Sequence, residues 1–189
     1  MSEPGQVVSV NVALGRTVPW KGRRVRTGIF KEPVAGRVRV RAFGLEGDEQ
    51  ADLEAHGGPL KAVYLYPSEH YAFWKAELPE TPLPWGAFGE NLTVSGLSEA
   101  TVRVGDTFRI GSALLAATKP RFPCYKLGIK FGREDFIDRF FASGRTGFYL
   151  RVLEEGEVGA GDRVESLGGG DGHLTIADLV AEQQQAGES

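Results

Sequence analysis

Val7-Val8-Ser9-Val10-Asn11-Val12-Ala13-Leu14 sets valines at 8, 10 and 12 between small or polar residues. That period of two is the pattern of a half-buried strand. Val38-Arg39-Val40-Arg41-Ala42-Phe43 repeats it, with the arginines on one face and Val38, Val40 and Ala42 on the other, so the charged face meets solvent or a ligand cleft. Shorter candidates lie at Ala62–Tyr66, Leu92–Val94, Thr107–Ile110, Ala113–Thr118, Gly147–Leu153 and Arg163–Leu167, most of them bounded by Gly, Pro, Asn or Asp. Gly105-Asp106 and Gly161-Asp162 each stand directly before a strand. Short strands joined by glycine turns, without long strand–helix alternation, predict a mainly β chain closed as a sandwich or barrel. Closure also removes exposed edges.

Helices are few. Ser68 is a candidate cap for Glu69–Leu78, where Tyr71, Trp74 and Leu78 share one face. Glu134–Ala142 spaces Phe136 from Phe140 and Ile137 from Phe141 by four, with Gly144 placed to end the helix. Gly168-Gly169-Gly170-Asp171-Gly172 reads as a linker to a short C-terminal helix over Leu174–Gln185. The expected organisation is a β domain over residues 1–167 and a linker with a short helix or tail over 168–189.

The chain of 189 residues is long enough to bury a core without covalent staples. Its 26 glycines are about twice average usage. With 22 Lys and Arg against 25 Asp and Glu, the net charge of −3 advertises neither nucleic acid nor an anionic membrane. Apolar runs such as Ala113–Ala117 are far shorter than the roughly 18 residues of a membrane span. The opening Met1-Ser2-Glu3-Pro4-Gly5 lacks the apolar stretch of a secretory signal, and one cysteine permits no intramolecular disulfide. A cytoplasmic location is expected.

Four clusters can carry chemistry. In Lys119-Pro120-Arg121-Phe122-Pro123-Cys124-Tyr125-Lys126, two prolines restrict the backbone and two cations favour the thiolate of Cys124, the form that binds soft metals and attacks electrophiles. A small buried apolar cysteine is the other reading. Gly47–Lys61 contains His56-Gly57-Gly58-Pro59, a turn able to hold His56 and Lys61 near a ligand, or else a solvated surface loop. Were that stretch helical, Asp48, Asp52 and His56 would align for a metal. In Gly86–Thr93, Asn91 suits either the amide-like edge of a heterocycle or a turn with Glu90 in solvent. Ser143-Gly144-Arg145-Thr146-Gly147 suits a phosphate or a plain helix stop. No C-x-x-C, P-loop or nucleophile-elbow pattern occurs. Packing and solvation account for His70 and His173.

Taken together, Gly47-Asp48, Asp52, His56-Gly57-Gly58, Lys61-Ala62-Val63, Gly89-Glu90-Asn91-Leu92, Pro120–Cys124 and Gly144–Gly147 resemble the MOSC domain, named for the C-terminal domain of molybdenum-cofactor sulfurase, and in particular its standalone bacterial branch. The similarity spans about Val7 to Leu167. It implies a β-barrel of short strands with a few peripheral helices. It also implies molybdenum cofactor, a pterin dithiolene carrying the metal and a phosphate, with Cys124 as the thiolate ligand to molybdenum. By the same resemblance the protein is an oxidoreductase that removes oxygen from N-hydroxylated compounds such as hydroxylaminopurine-type bases, a detoxifying activity. Arg121, Arg145 and Lys61 are expected to hold the anionic cofactor, Asn91 to hydrogen-bond pterin or substrate, and His56 to deliver protons. Relatives of the bacterial branch often carry a three-helix C-terminal extension, whereas 22 residues follow Leu167 here.

Rival functions share these residues. Cys124 could carry a persulfide for cluster or cofactor assembly, or act with His56 as a cofactor-free thiol enzyme. A non-catalytic module could instead grip an anion or single-stranded nucleic acid with Arg37, Arg39 and Arg41. No flavin, haem or iron–sulfur motif is present, so a reductase of this kind requires a separate electron-donor protein.

Overall fold

Burial along the first strand departs from strict alternation in an informative way. In the computed structural model, which describes residues 4–51 and 57–187, strand β1 (Gly5–Val12) buries Val7 and Val10, while Val8 is half-buried. A register shift between Val7 and Ser9 against the neighbouring strand moves the core-facing set from one parity to the other, the signature of a β-bulge. The expected valine face therefore holds only beyond the bulge.

The elements that follow are β2 (Arg16–Trp20), β3 (Arg23–Thr27), β4 (Glu32–Pro33), β5 (Val38–Arg41), β6 (Gly44–Leu45), a 3-10 turn over Pro59–Lys61, β7 (Val63–Pro67) and α1 (His70–Glu77). Then come β8 (Leu92–Ser95), β9 (Thr107–Ile110), β10 (Ala113–Pro120), α2 (Tyr125–Phe131), α3 (Asp135–Ala142), β11 (Phe148–Glu154), β12 (Gly156–Val158), β13 (Arg163–Gly168) and α4 (Ile176–Gly187). Seven strands close a barrel in the order β13-β9-β10-β11-β7-β8-β1, the last joined to the first through Gly5 opposite Val164. The mainly β, barrel-like expectation is met. One pair, β7–β8, is parallel, so the chain between them must cross over. That crossover carries α1 and the loop Gly86–Asn91.

Two apolar clusters hold the fold. The barrel interior contains Val10, Leu65, Leu92, Ile110, Leu115 and Leu150. Outside it, Tyr66, Trp74, Phe88, Phe136 and Phe140 form an aromatic layer between the barrel and helices α1 and α3. Trp74 stacks on Phe140 with ring centroids 5.8 Å apart. The four-residue spacing of Phe136 and Phe140 thus buries one face of α3, as the sequence pattern predicts.

Two local expectations change, and one element appears that the sequence pattern does not announce. Ser68 does not cap α1: the N-cap is Glu69, and Ser68 contributes its backbone carbonyl to the Tyr71 N–H instead. The glycine-rich stretch after residue 167 is packed on the barrel: Thr107 donates to the Gly168 carbonyl at 2.7 Å, and a Cβ on Gly170 would come within 2.8 Å of the Val104 carbonyl oxygen. Helix α4 then seats Ile176 and Val180 as buried residues, with the Ala177 N–H donating to the Glu99 carbonyl. Finally, β2 and β3 form a ribbon outside the barrel, turned by Lys21 (φ 49°) and Gly22 (φ 72°). Positive φ at both central residues is the type I′ hairpin geometry.

Candidate functional site

Strand β10 ends at Pro120, and the next four residues carry the chain out of the sheet to Cys124, the N-cap of α2. The Arg121 N–H donates to the Gly147 carbonyl at 3.2 Å, which fixes this corner to the loop before β11. Arg121 is buried, at 5% exposure. Its guanidinium lies 5.2 Å from the Tyr64 ring centre and 5.5 Å from that of Phe140, yet its Nη1 is buried without a hydrogen-bond partner. Such an orphaned donor is costly unless a ligand meets it. Burial pushes the Tyr149 phenol above its ordinary range, and the facing Arg121 charge opposes that shift.

Arg121 and half-buried Cys124 open onto one cleft of about 590 Å³ counting its mouth. Lys61, Lys126, Tyr64 and Tyr149 line it with them. Another part of its wall comes from Thr27, Gly28 and Ile29 at the root of the β2–β3 ribbon and from Asp48–Ala51. This wall is braced internally. Lys31 Nζ lies 2.6 Å from Asp48 Oδ1 and also donates to the Gly28 carbonyl at 3.0 Å. Asp48 Oδ1 accepts the Ala13 N–H, and Asp48 Oδ2 accepts from Asn91 Nδ2 at 2.9 Å. Gln50 donates to the carbonyls of Lys61 and Ala62.

Asn91 lines the cleft, but its polar atoms are turned inward: Oδ1 accepts the Tyr64 N–H at 3.0 Å while Nδ2 holds Asp48. Its place in the structure is a brace between β7, β8 and the Asp48 turn. Glu90, expected in solvent in the turn reading, is fully buried. It accepts hydrogen bonds from the Tyr71 hydroxyl, the Thr93 hydroxyl and the backbone N–H groups of Gly86 and Phe88. Burial pushes its carboxyl up, against the pull of those donors.

Arg145 is not brought to the cleft. Its guanidinium stacks 3.8 Å from the Phe73 ring centre, and the Arg145 and Thr146 carbonyls accept from the hydroxyls of Tyr66 and Tyr64. Gly147 (φ 65°) passes so close to β7 that a Cβ would lie 2.5 Å from the Leu65 carbonyl oxygen. The Ser143–Gly147 motif is thus a clasp on two tyrosines, one of which lies under Arg121. Asp48 sits in an irregular segment, so the helical alignment of Asp48, Asp52 and His56 is not formed at Asp48. Asp52 and His56 themselves lie outside the described residues. Among the described residues no cluster of three or more His, Cys, Asp and Glu side chains is poised for a metal. Arg37, Arg39 and Arg41 each lie within 4.0 Å of at least one carboxylate, from Glu46, Glu155, Glu157 or Asp162, which makes their face one of mixed charge.

Lys31, Tyr64, Tyr149 and Gln50 were not singled out by sequence. Lys31 has no local signal, since its partner Asp48 is 17 residues away and joins it only through the fold.

A seven-stranded barrel with its cleft at the β10–α2 corner can be set beside known proteins. The model of the MOSC domain matches residues 52–165. This chain belongs to the MOSC domain family. The uncharacterised protein YflK of Bacillus subtilis is 45% identical over 170 residues, covering 90% of this chain and 76% of YflK. A Gibberella moniliformis protein named "Reductase" is 37% identical over 149 residues, which cover 77% of this chain and 26% of that much longer protein. The crystal structure of YiiM from Geobacillus stearothermophilus superposes with a TM-score of 0.79 at 35% identity, covering 98% of this chain and 87% of YiiM.

MOSC domains are associated with molybdenum cofactor. The cleft of this MOSC protein fits such a group on its own evidence: a free thiol for a soft metal, and a buried arginine with an unmatched donor for an anionic substituent. Among the described residues no helix is long and apolar enough to cross a membrane.

Proposed function

We propose that the cleft binds molybdenum cofactor and that the protein reduces N-hydroxylated compounds, including hydroxylaminopurine-type bases, with the balance R–NHOH + 2 H⁺ + 2 e⁻ → R–NH₂ + H₂O. The observation that carries this reading is that Cys124 and the buried Arg121, whose Nη1 lacks a partner, line one opening. When bound, the cofactor supplies two-electron redox chemistry at a metal.

The chain's own residues do the rest. Cys124 offers the thiolate ligand. Arg121, held between the rings of Tyr64 and Phe140, offers a fixed positive charge to the anionic part of the cofactor, while Lys61 and Lys126 add charge to the same wall. Asn91 and Asp48 hold the floor in shape, and Arg145 stands outside this binding set. His56 is retained as the proton donor. A reducing, cytoplasmic setting suits a site built on a free thiol, and a separate protein supplies the electrons.

Elemental analysis tests this on protein from a host that makes the cofactor and is supplied with molybdate. About one molybdenum per chain is expected in wild type, with loss in Cys124→Ser. Metal-free wild type despite a confirmed cofactor supply overturns the proposal. Transferable sulfur on Cys124 in that sample would replace it with sulfur carriage.

A further inference from the structure

Residues 16–27 contain Arg16, Lys21, Arg23, Arg24 and Arg26 and no carboxylate, so the other 177 residues carry 17 cations against 25 carboxylates. A chain with an acidic net charge has thus collected nearly a quarter of its cations on one ribbon. Fold and charge coincide, because β2 and β3 pair only with each other. Their register places Thr17 and Pro19 beside Arg26 and Arg24 on one exposed face, while Val18, Val25 and Trp20 are half-buried on the other.

The nearby acids do not neutralise the arm. Arg26 pairs with Glu49, Lys21 with Glu134, and Arg16 spends its guanidinium on the Phe30 ring at 3.6 Å. Arg23 and Arg24 are exposed and form no ion pair among the described residues. The root of this ribbon, Thr27–Gly28–Ile29, lines the same cleft as Cys124. Whatever docks on the ribbon is therefore delivered to the mouth of the site.

We propose that the β2–β3 ribbon is the docking arm for the electron donor, and that this donor is a protein with an acidic face. The inference rests on the reductase reading, which requires such a protein. Local positive charge on an otherwise acidic surface attracts an acidic partner at one place and repels it elsewhere, which orients the encounter as well as speeding it. A two-stranded basic ribbon can also enter a nucleic-acid groove. The carboxylate excess on the rest of this chain opposes a long polyanion.

The test compares cofactor-loaded wild type with Arg23→Glu/Arg24→Glu, both supplied with an N-hydroxylated purine. Electrons come from a reduced acidic flavodoxin, a reduced acidic [2Fe–2S] ferredoxin, or reduced methyl viologen. With at least one protein donor, wild type should turn over at a rate that falls with added salt. The double variant should be about tenfold slower at low salt, should lose the salt dependence, and should keep its viologen rate and urea midpoint. In titration calorimetry, binding of the effective donor in its oxidised form should weaken in parallel. Equal protein-driven rates in the two forms overturn the docking arm. Turnover with viologen but with neither protein donor also overturns it and leaves the reductase reading standing. No turnover from any donor, viologen included, rejects the reductase reading, and the docking arm falls with it. Salt-sensitive binding of a short DNA duplex that the double variant loses, with donor rates unchanged, assigns the ribbon to nucleic acid and overturns the proposal.

Discussion

Glu99 Oε1 accepts the Gly147 N–H at 2.7 Å while its Oε2 lies 2.8 Å from His70 Nε2. Gly147 in turn offers its carbonyl to the Arg121 N–H. The Glu99 carboxylate therefore helps to set the backbone from which the cleft's buried guanidinium projects. Glu99→Ala should destabilise the protein by about 1–3 kcal/mol, since it leaves a buried N–H unmatched. Glu99→Gln keeps an acceptor oxygen and should recover most of that loss. The urea midpoint measures both. The lone Cys124 adds a local readout: alkylation by anionic iodoacetate relative to neutral iodoacetamide should fall severalfold in Glu99→Ala as Arg121 loosens, and return toward wild type in Glu99→Gln.

Two arginines near the site should behave differently. Arg121→Gln removes the cleft's buried charge and should lower the iodoacetate-to-iodoacetamide rate ratio at Cys124 severalfold and impair molybdenum loading. Arg145→Ala should leave both unchanged and cost about 0.5–1 kcal/mol through the lost stacking on Phe73. Loss of loading in Arg145→Ala at an unchanged urea midpoint would put Arg145 back at the cofactor.

The two glycines that flank Arg145 and Thr146 make a second contrast. Both have positive φ, but a Cβ on Gly144 meets nothing within 4 Å, whereas one on Gly147 meets the Leu65 carbonyl and two tyrosine rings. Gly144→Ala should cost about 1–2 kcal/mol of backbone strain. Gly147→Ala should cost about 3 kcal/mol or more, or prevent folding. Chemical denaturation separates them.

Glu90 should give stability a recognisable pH dependence. Its folded carboxyl titrates above the ordinary glutamate value because burial disfavours the charge, so the folded state binds the proton more tightly than the unfolded chain. The contribution of this group is complete below the unfolded glutamate value and declines as pH rises through the folded one. Wild type should therefore lose stability relative to the non-titrating Glu90→Gln as pH rises from about 4 toward 8. Urea midpoints across that range follow it.

Much of the barrel is legible in the sequence because one physical rule decides it. β9 falls at Thr107–Ile110 and α3 within one residue of its expected start, since both bury one face of a regular period. The ribbon was not legible. Pro19 and four arginines break the strand pattern, and the turn uses Lys-Gly in place of Asn-Gly. Helix α2 starts directly after Pro123-Cys124 and spans 7 residues, too short to show a period. Cys124, Arg121 and Lys61 were read from the sequence and do share the cleft. Glu90 gives no sign of burial in the sequence, where no cation stands near it. Its partners are backbone N–H groups and two hydroxyls, which sequence does not display. The glycines around Arg145 suggested phosphate, whereas Gly147 is demanded by the close passage of β7.

The seam between β1 and β13 joins Gly5 to Val164, almost the two ends of the barrel's chain. As the barrel leaves the ribosome, its first strand must wait for β13 to be synthesised before that side can be zipped. Until then β1 leaves Gly5 and Gln6 as an open edge to which a neighbouring chain can add a strand. Such end-to-end pairing places folding in the slow, non-local regime, and a nascent chain stalled before residue 163 should be more prone to aggregate than one released at full length.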